Sequence, residues 1–217
     1  IKLFFLVFPM PSAFASTIGD EYNDLMLALD KKTVGAIALI LNDANYKKNL
    51  DYLREIFVAT RSQINRHDAS FLLSAQLTLA NFQSSMWEVL REGRKLKKEI
   101  KARNDPAEKE KLQDIEYQIV VNEQLLRVSK VIADGMAWRN MHYDRMFMDI
   151  ASKGFGTGAI DVEALDFRGE LGWAAQISKD FKSKVFVNDL TNYLRIGDLT
   201  DIREDETLVH EIKKILE

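Results

Sequence analysis

From Asp20 to about Lys153, apolar residues recur at the three- and four-residue spacings of amphipathic helices. Leu50, Leu53, Ile56 and Phe57 form one such stripe. Asp68 is suited to N-cap the next helix, which carries Leu73, Leu77, Ala80 and Trp87 on one face, with Met86, Leu90, Leu96 and Ile100 near it. The pattern holds to about Arg103, a rod on the order of 50 Å at about 1.5 Å per residue. Asn104-Asp105-Pro106 then breaks it and starts another helix, with Asp105 as N-cap and Pro106 at the first helical position. Leu112, Ile115, Ile119 and Leu126 continue that helix past Val131 and Ile132. So short a break between two long helices predicts an antiparallel hairpin. Farther on, Trp138, Met141, Arg145 and Met148 share a face with core character, and Arg145 is one turn from Asp149.

After Ser152 the pattern changes. Gly154, Gly156 and Gly158 mark a loop without the spacing of a phosphate-binding fingerprint. Asp161–Asp180 reads as one or two short helices with Leu165, Leu171, Trp173 and Ile177 inward. Lys184–Val187 reads as a strand. Ile196–Ile202 and Thr207–Ile215 read as two more, joined by the polar Arg203-Glu204-Asp205-Glu206 as a hairpin turn. The predicted class is α+β: a long helical hairpin or bundle followed by a smaller α-β-β-β unit. Three regions follow: an apolar N-terminal segment over 1–18, a helical region over 19–152 and an α/β unit over 153–217.

Both ends carry an expectation. Lys2, the apolar Leu3–Phe8 and the small-residue pattern Ala13-Phe14-Ala15-Ser16 have the order of a secretory signal, although the apolar run is short for one. The competing reading is a buried element of a cytoplasmic protein, and it is the one adopted for localisation. The first residue is Ile1, and the last strand has no element after it, so the sequence reads as a fragment.

Composition narrows the chemistry. With no Cys among 217 residues, disulfides, thiolate metal sites and Cys nucleophiles are excluded. A net charge of −3 excludes a general polycation, so nucleic-acid binding requires a local patch. No apolar run reaches the roughly 20 residues of a membrane span. His67, His142 and His210 lack partners at metal-binding spacings. A basic patch does exist at the hairpin tip, where Arg91, Arg94, Lys95, Lys97, Lys98, Lys101 and Arg103 cluster against Glu92 and Glu99. Arg94, Lys95, Lys97, Lys98 and Lys101 are the candidate phosphate contacts. The competing reading is a solvated helix end neutralised by Glu108, Glu110 and Glu116. No aromatic residues interleave the basic ones, which leaves no stacking platform for single strands.

The last hairpin carries the candidate chemistry. Residues i and i+2 of a strand share a face, so Glu211 and Lys213 project together. If the two strands pair, Asp198 comes beside Glu211. Two carboxylates and an ammonium at one spot suit phosphodiester hydrolysis: hard oxygens hold Mg²⁺ or Mn²⁺, and a lysine orients water and stabilises developing charge. The chain also contains Glu99-Ile100-Lys101, but on a helix the two charged side chains diverge and form no site.

Gly197-Asp198, followed by Glu211-Ile212-Lys213 in an apolar strand, resembles the PD-(D/E)XK nuclease superfamily over about 30 of the 217 residues. The resemblance implies a restriction-endonuclease-like α-β-β-β-α-β core with Asp198 and Glu211 as metal ligands and Lys213 as the catalytic lysine. It implies a DNA substrate before an RNA one. Its helical glutamate has two candidates, Glu163 and Glu170. The chain departs from the pattern in lacking the helix and strand that follow. The functional expectation is therefore a Mg²⁺- or Mn²⁺-dependent DNA endonuclease with a helical positioning or homodimerising region. The alternative is a non-enzymatic α-helical coiled-coil interaction module, exported if residues 1–15 are a signal peptide.

Overall fold

The structure is a computed structural model, and it describes residues 40–41, 43–61, 68–103, 105–141, 146, 167–191, 194, 197–204, 206–210 and 212. Helix α1 spans Ala44–Arg61 and buries Leu50, Leu53 and Ile56, the stripe expected of it. Helix α2 spans Ala69–Arg103. The Asp68 carboxylate accepts from the backbone N–H groups of Ser70 (2.8 Å) and Phe71 (3.1 Å), which satisfies donors that the first helical turn leaves orphaned. At the far end Asp105 accepts from Ala107 N at 2.9 Å, and Pro106 opens a 3₁₀ turn, Pro106–Glu108. That turn runs straight into helix α3, Lys109–Asn140.

Helices α2 and α3 fold back on each other as an antiparallel hairpin. Ion pairs run in opposite chain directions: Arg94 with Glu123 (2.9 Å) and Lys97 with Glu116 (2.9 Å) join the two helices, and Arg103 pairs with Glu108 of the 3₁₀ turn (3.2 Å). Toward the tip a small apolar cluster of Leu90, Ile100, Ile115, Ile119 and Leu126 joins them, with Trp87, Leu96 and Leu112 at its edge. Gly93 lets the helices close there, since a Cβ at that position would lie 3.2 Å from Ile119 Cγ1.

The other end of the hairpin belongs to the main core. Leu72, Leu79, Phe82 and Met86 of α2 meet Leu50 and Leu53 of α1, Leu125, Val128 and Ile132 of α3, and Val185–Val187. Helix α4, Phe167–Phe181, contributes Ala174 to that core. Strand β1 is Lys184–Val187, β2 is Leu199–Ile202 and β3 is Thr207–His210. They form an antiparallel sheet in the order β1-β2-β3, with Val187 opposite Leu199 and Leu199 opposite His210. The described part of the chain is thus α+β, mostly helical with one small sheet.

Four expectations on orientation and length change. Strand β3, expected over Thr207–Ile215, ends at His210 and Ile212 lies outside the strand, so strand geometry is not what sets Ile212 beside Asp198. Leu77 is exposed, and the buried face of α2 runs through Leu72, Gln76, Leu79, Gln83, Met86 and Leu90. Trp173 is 56% exposed, and α4 turns Ala174 inward with Leu171 and Ile177 partly buried. Strand β2 starts at Leu199, because Gly197 takes φ +65°, which bends the chain just before it. The apolar segment over 1–18, the loop glycines, Leu165, Arg145, Met148 and Asp149 lie outside the described residues.

Two buried glutamines join helix to sheet. Gln76 donates to Val185 O (2.7 Å) and accepts from Val187 N (2.8 Å). Gln83, two turns on, donates to Leu190 O at 3.1 Å. Among the described residues β1 has a strand, β2, on one side only, and the Gln76 carboxamide satisfies backbone groups on its other edge.

Candidate functional site

Asp198 sits in the bend that leads into β2, and its position is fixed from several sides. Its N–H donates to His210 O at 2.8 Å, extending the β2–β3 ladder. Its carbonyl accepts from Asn188 N at 2.9 Å, extending the β1–β2 ladder. Its carboxylate Oδ2 accepts from the backbone N–H of Ile212. The carboxylate is thereby turned toward the stretch of chain that follows β3. Gly197 is needed beside it: a Cβ there would lie 2.5 Å from Val209 Cγ1 and 2.8 Å from His210 O. Glu211 and Lys213 themselves lie outside the described residues.

The turn after β1, a 3₁₀ segment over Asn188–Leu190, packs against the same bend. Asn188 is fully buried. Its Nδ2 donates to Gly197 O (3.2 Å), and its Oδ1 accepts from Thr200 Oγ1 (2.8 Å). The next residue, Asp189, brings a second carboxylate. Burial pushes the Asp189 carboxyl above its usual range, the Asp198 carboxylate adds to the rise, and the Lys130 ammonium of α3 works against it. Sequence reading misses Asp189 and Asn188. Their only signal is polarity directly after the apolar Val185-Phe186-Val187 run, which also fits a plain turn.

Of the two candidate helical glutamates, Glu170 lies in the first turn of α4, partly buried, and Glu163 is outside the described residues. Among the described residues no group of three or more His, Asp or Glu is placed to hold a metal ion. What the structure brings together is the pair Asp189 and Asp198.

A second polar cluster occupies β2 and β3. Asp201 is fully buried and accepts from Arg203 Nε at 2.9 Å. The Arg203 guanidinium lies over the Phe181 ring at 4.1 Å. His210 Nε2 approaches the same Asp201 carboxylate at 3.6 Å, too far for a hydrogen bond. His210 thus faces Asp201, a strand-internal acid that the alternating pattern did not single out.

The basic tip is largely paired within the hairpin. Glu116 receives Lys97 (2.9 Å) and Lys101 (3.1 Å), and their hydrogen bonds hold its carboxyl below the usual range. Arg94 and Arg103 pair with Glu123 and Glu108. Lys95 and Lys98 make no ion pair among the described residues. Ile100 of the second Glu-Ile-Lys copy is buried in the tip cluster while Lys101 binds Glu116, as helical geometry requires. Among the described residues no helix is long and apolar enough to cross a membrane.

No family model, no curated protein and no solved structure matches the chain.

Proposed function

We propose that the chain carries a metal-dependent phosphodiesterase site acting on DNA, with Asp198 and Glu211 as metal ligands and Lys213 as the group that orients the attacking water. The observation that carries this reading is the hydrogen bond from Ile212 N–H to the Asp198 carboxylate. Ile212 is the residue between Glu211 and Lys213, so the acid is turned toward the segment that holds the other two groups. A helix followed by a three-stranded antiparallel meander, with the acid at the head of the second strand, supports the PD-(D/E)XK likeness.

The donors proposed for Mg²⁺ or Mn²⁺ are the carboxylates of Asp198 and Glu211. Both ions favour hard carboxylate oxygens. Asp198 keeps Oδ1 for such a role while Ile212 holds Oδ2, and the neighbouring Asp189 adds a like charge that a cation relieves. Held by Asp198 and Glu211, such an ion would lower the pKa of bound water and offset charge on the phosphoryl oxygens. Asp198 is held in one orientation by the sheet, which removes reorganisation on ion entry. Lys213 supplies the positive charge beside the scissile group. On the hairpin tip the glutamate pairs support a mainly structural role, and Lys95 and Lys98 are the residues that meet a DNA backbone.

Thermal unfolding with and without Mn²⁺ tests the reading. Mn²⁺ raises the melting temperature of the wild-type chain, and Asp198→Ala and Glu211→Ala abolish the rise. An equal rise in all three proteins, or none in the wild type, removes the metal site.

A further inference from the structure

We infer that Asn188 is a positioning residue for the Asp198 site, an inference that rests on the metal-dependent reading above. Asn188 has no exposed surface. Its groups address the three residues that define the bend into β2. The backbone N–H holds Asp198 O at 2.9 Å, Nδ2 holds Gly197 O at 3.2 Å, and Oδ1 takes the Thr200 hydroxyl at 2.8 Å. The turn that carries it is itself pinned, because Asn188 O accepts from Thr191 N (2.9 Å) and Thr191 Oγ1 (2.8 Å).

The Gly197–Asp198 peptide, which follows a bend at φ +65°, is held on its N–H side by His210 O at 2.8 Å, and its carbonyl side is held by the Asn188 carboxamide. The carboxamide thus completes the pinning of that peptide plane from its carbonyl side. It is the one side chain among the described residues that donates to the Gly197 carbonyl. A neighbour that fixes a metal ligand's orientation governs affinity without touching the ion. The same carboxamide cannot be replaced by an apolar group without leaving the buried Thr200 hydroxyl unpaired and removing the side-chain donor from the part-buried Gly197 carbonyl.

Isothermal titration of the full chain with Mn²⁺, at a temperature where every variant is folded, tests the role. Asn188→Ala is the direct variant, and Asn188→Leu keeps the side-chain shape in case the smaller residue fails to fold. Gln76→Leu is the control, since it removes two buried hydrogen bonds to β1 without touching the bend. The Asn188 variants weaken Mn²⁺ binding about tenfold or more, whereas Gln76→Leu at a comparable loss of melting temperature stays within about twofold of wild type. Wild-type affinity in the Asn188 variants, with binding still lost in Asp198→Ala, overturns the Asn188 role alone. So does a loss in Gln76→Leu as large as theirs, because affinity then tracks stability. No Mn²⁺ binding by the wild type removes the metal reading and this role together.

Discussion

Gln76 accepts a hydrogen bond from the backbone of Val187 at 2.8 Å, across 111 residues of sequence. With the companion bond to Val185 O it makes a helix side chain complete a sheet edge. An apolar replacement leaves a buried N–H and a buried C=O without partners, each costing about 1–3 kcal/mol. Gln76→Leu therefore destabilises the fold by about 2 kcal/mol or more, measured by urea denaturation. Faster amide exchange at Val187 locates the effect. A neutral result would mean that water reaches this edge.

Asp201 is fully buried and held by Arg203. Arg203→Ala strands that carboxylate and removes the cation from the Phe181 face, a loss of about 3 kcal/mol. Adding Asp201→Asn to Arg203→Ala restores part of the stability, because the stranded charge is gone. A double-mutant cycle reads this coupling; strict additivity would show that the pair does not interact.

At Gly197 a side chain meets both a left-handed backbone and a carbonyl 2.8 Å away. Gly197→Ala costs about 1–2 kcal/mol for the conformation alone, and the clash adds to it. Circular dichroism melting reads the sum. Gly135, where a Cβ meets nothing within 4 Å, gives the contrast: its helix position α3 gains about 1 kcal/mol from alanine.

Two carboxylates give stability opposite slopes with pH. The folded-state pKa of Asp189 is raised, so the folded chain binds more protons between the unfolded and folded values, and stability falls as pH rises through that window. Asp189→Asn removes this loss and raises the melting temperature at neutral pH. The pKa of Glu116 is lowered, so its contribution is present above the unfolded value and disappears as pH falls through the folded one. Glu116→Gln flattens the acid limb. Melting curves from pH 3 to 7 check both signs.

Leu90 is fully buried in the tip cluster. Leu90→Ala costs about 2–5 kcal/mol, and hydrogen exchange places the loosening in the distal parts of α2 and α3 before the sheet. Uniform loosening through β1 and β2 would join the tip to the main core.

Much of the fold is legible in the chain, for physical reasons that differ by element. Asp68 and Asp105-Pro106 mark helix starts because the orphaned N–H groups there need acceptors and proline needs none. Lys184–Val187 reads as a strand because its β-branched and aromatic residues suit a pleated surface. The inner face of α2 is misread because Gln76 and Gln83 occupy buried positions; they look like solvent positions until the sheet edge that they satisfy is known. Trp173 is misread because size suggests burial, whereas Ala174 and Ser178 let α4 approach closely. The bend at Gly197-Asp198 is foreshadowed by the glycine, whose φ of +65° a side chain would strain. Asn188 and Asp189 are not, because their meaning depends on β1 pairing with β2, which no local spacing encodes.

The turn at Asp105–Pro106 sits at the outer end of a rod whose tip cluster shares no residue with the main core. A reporter peptide or fluorescent protein spliced there would hang from the far end of the lever, away from the sheet, and leave the Gly197–Asp198 bend untouched. The hairpin thus offers a handle by which the molecule can be tethered or watched at a distance from that bend.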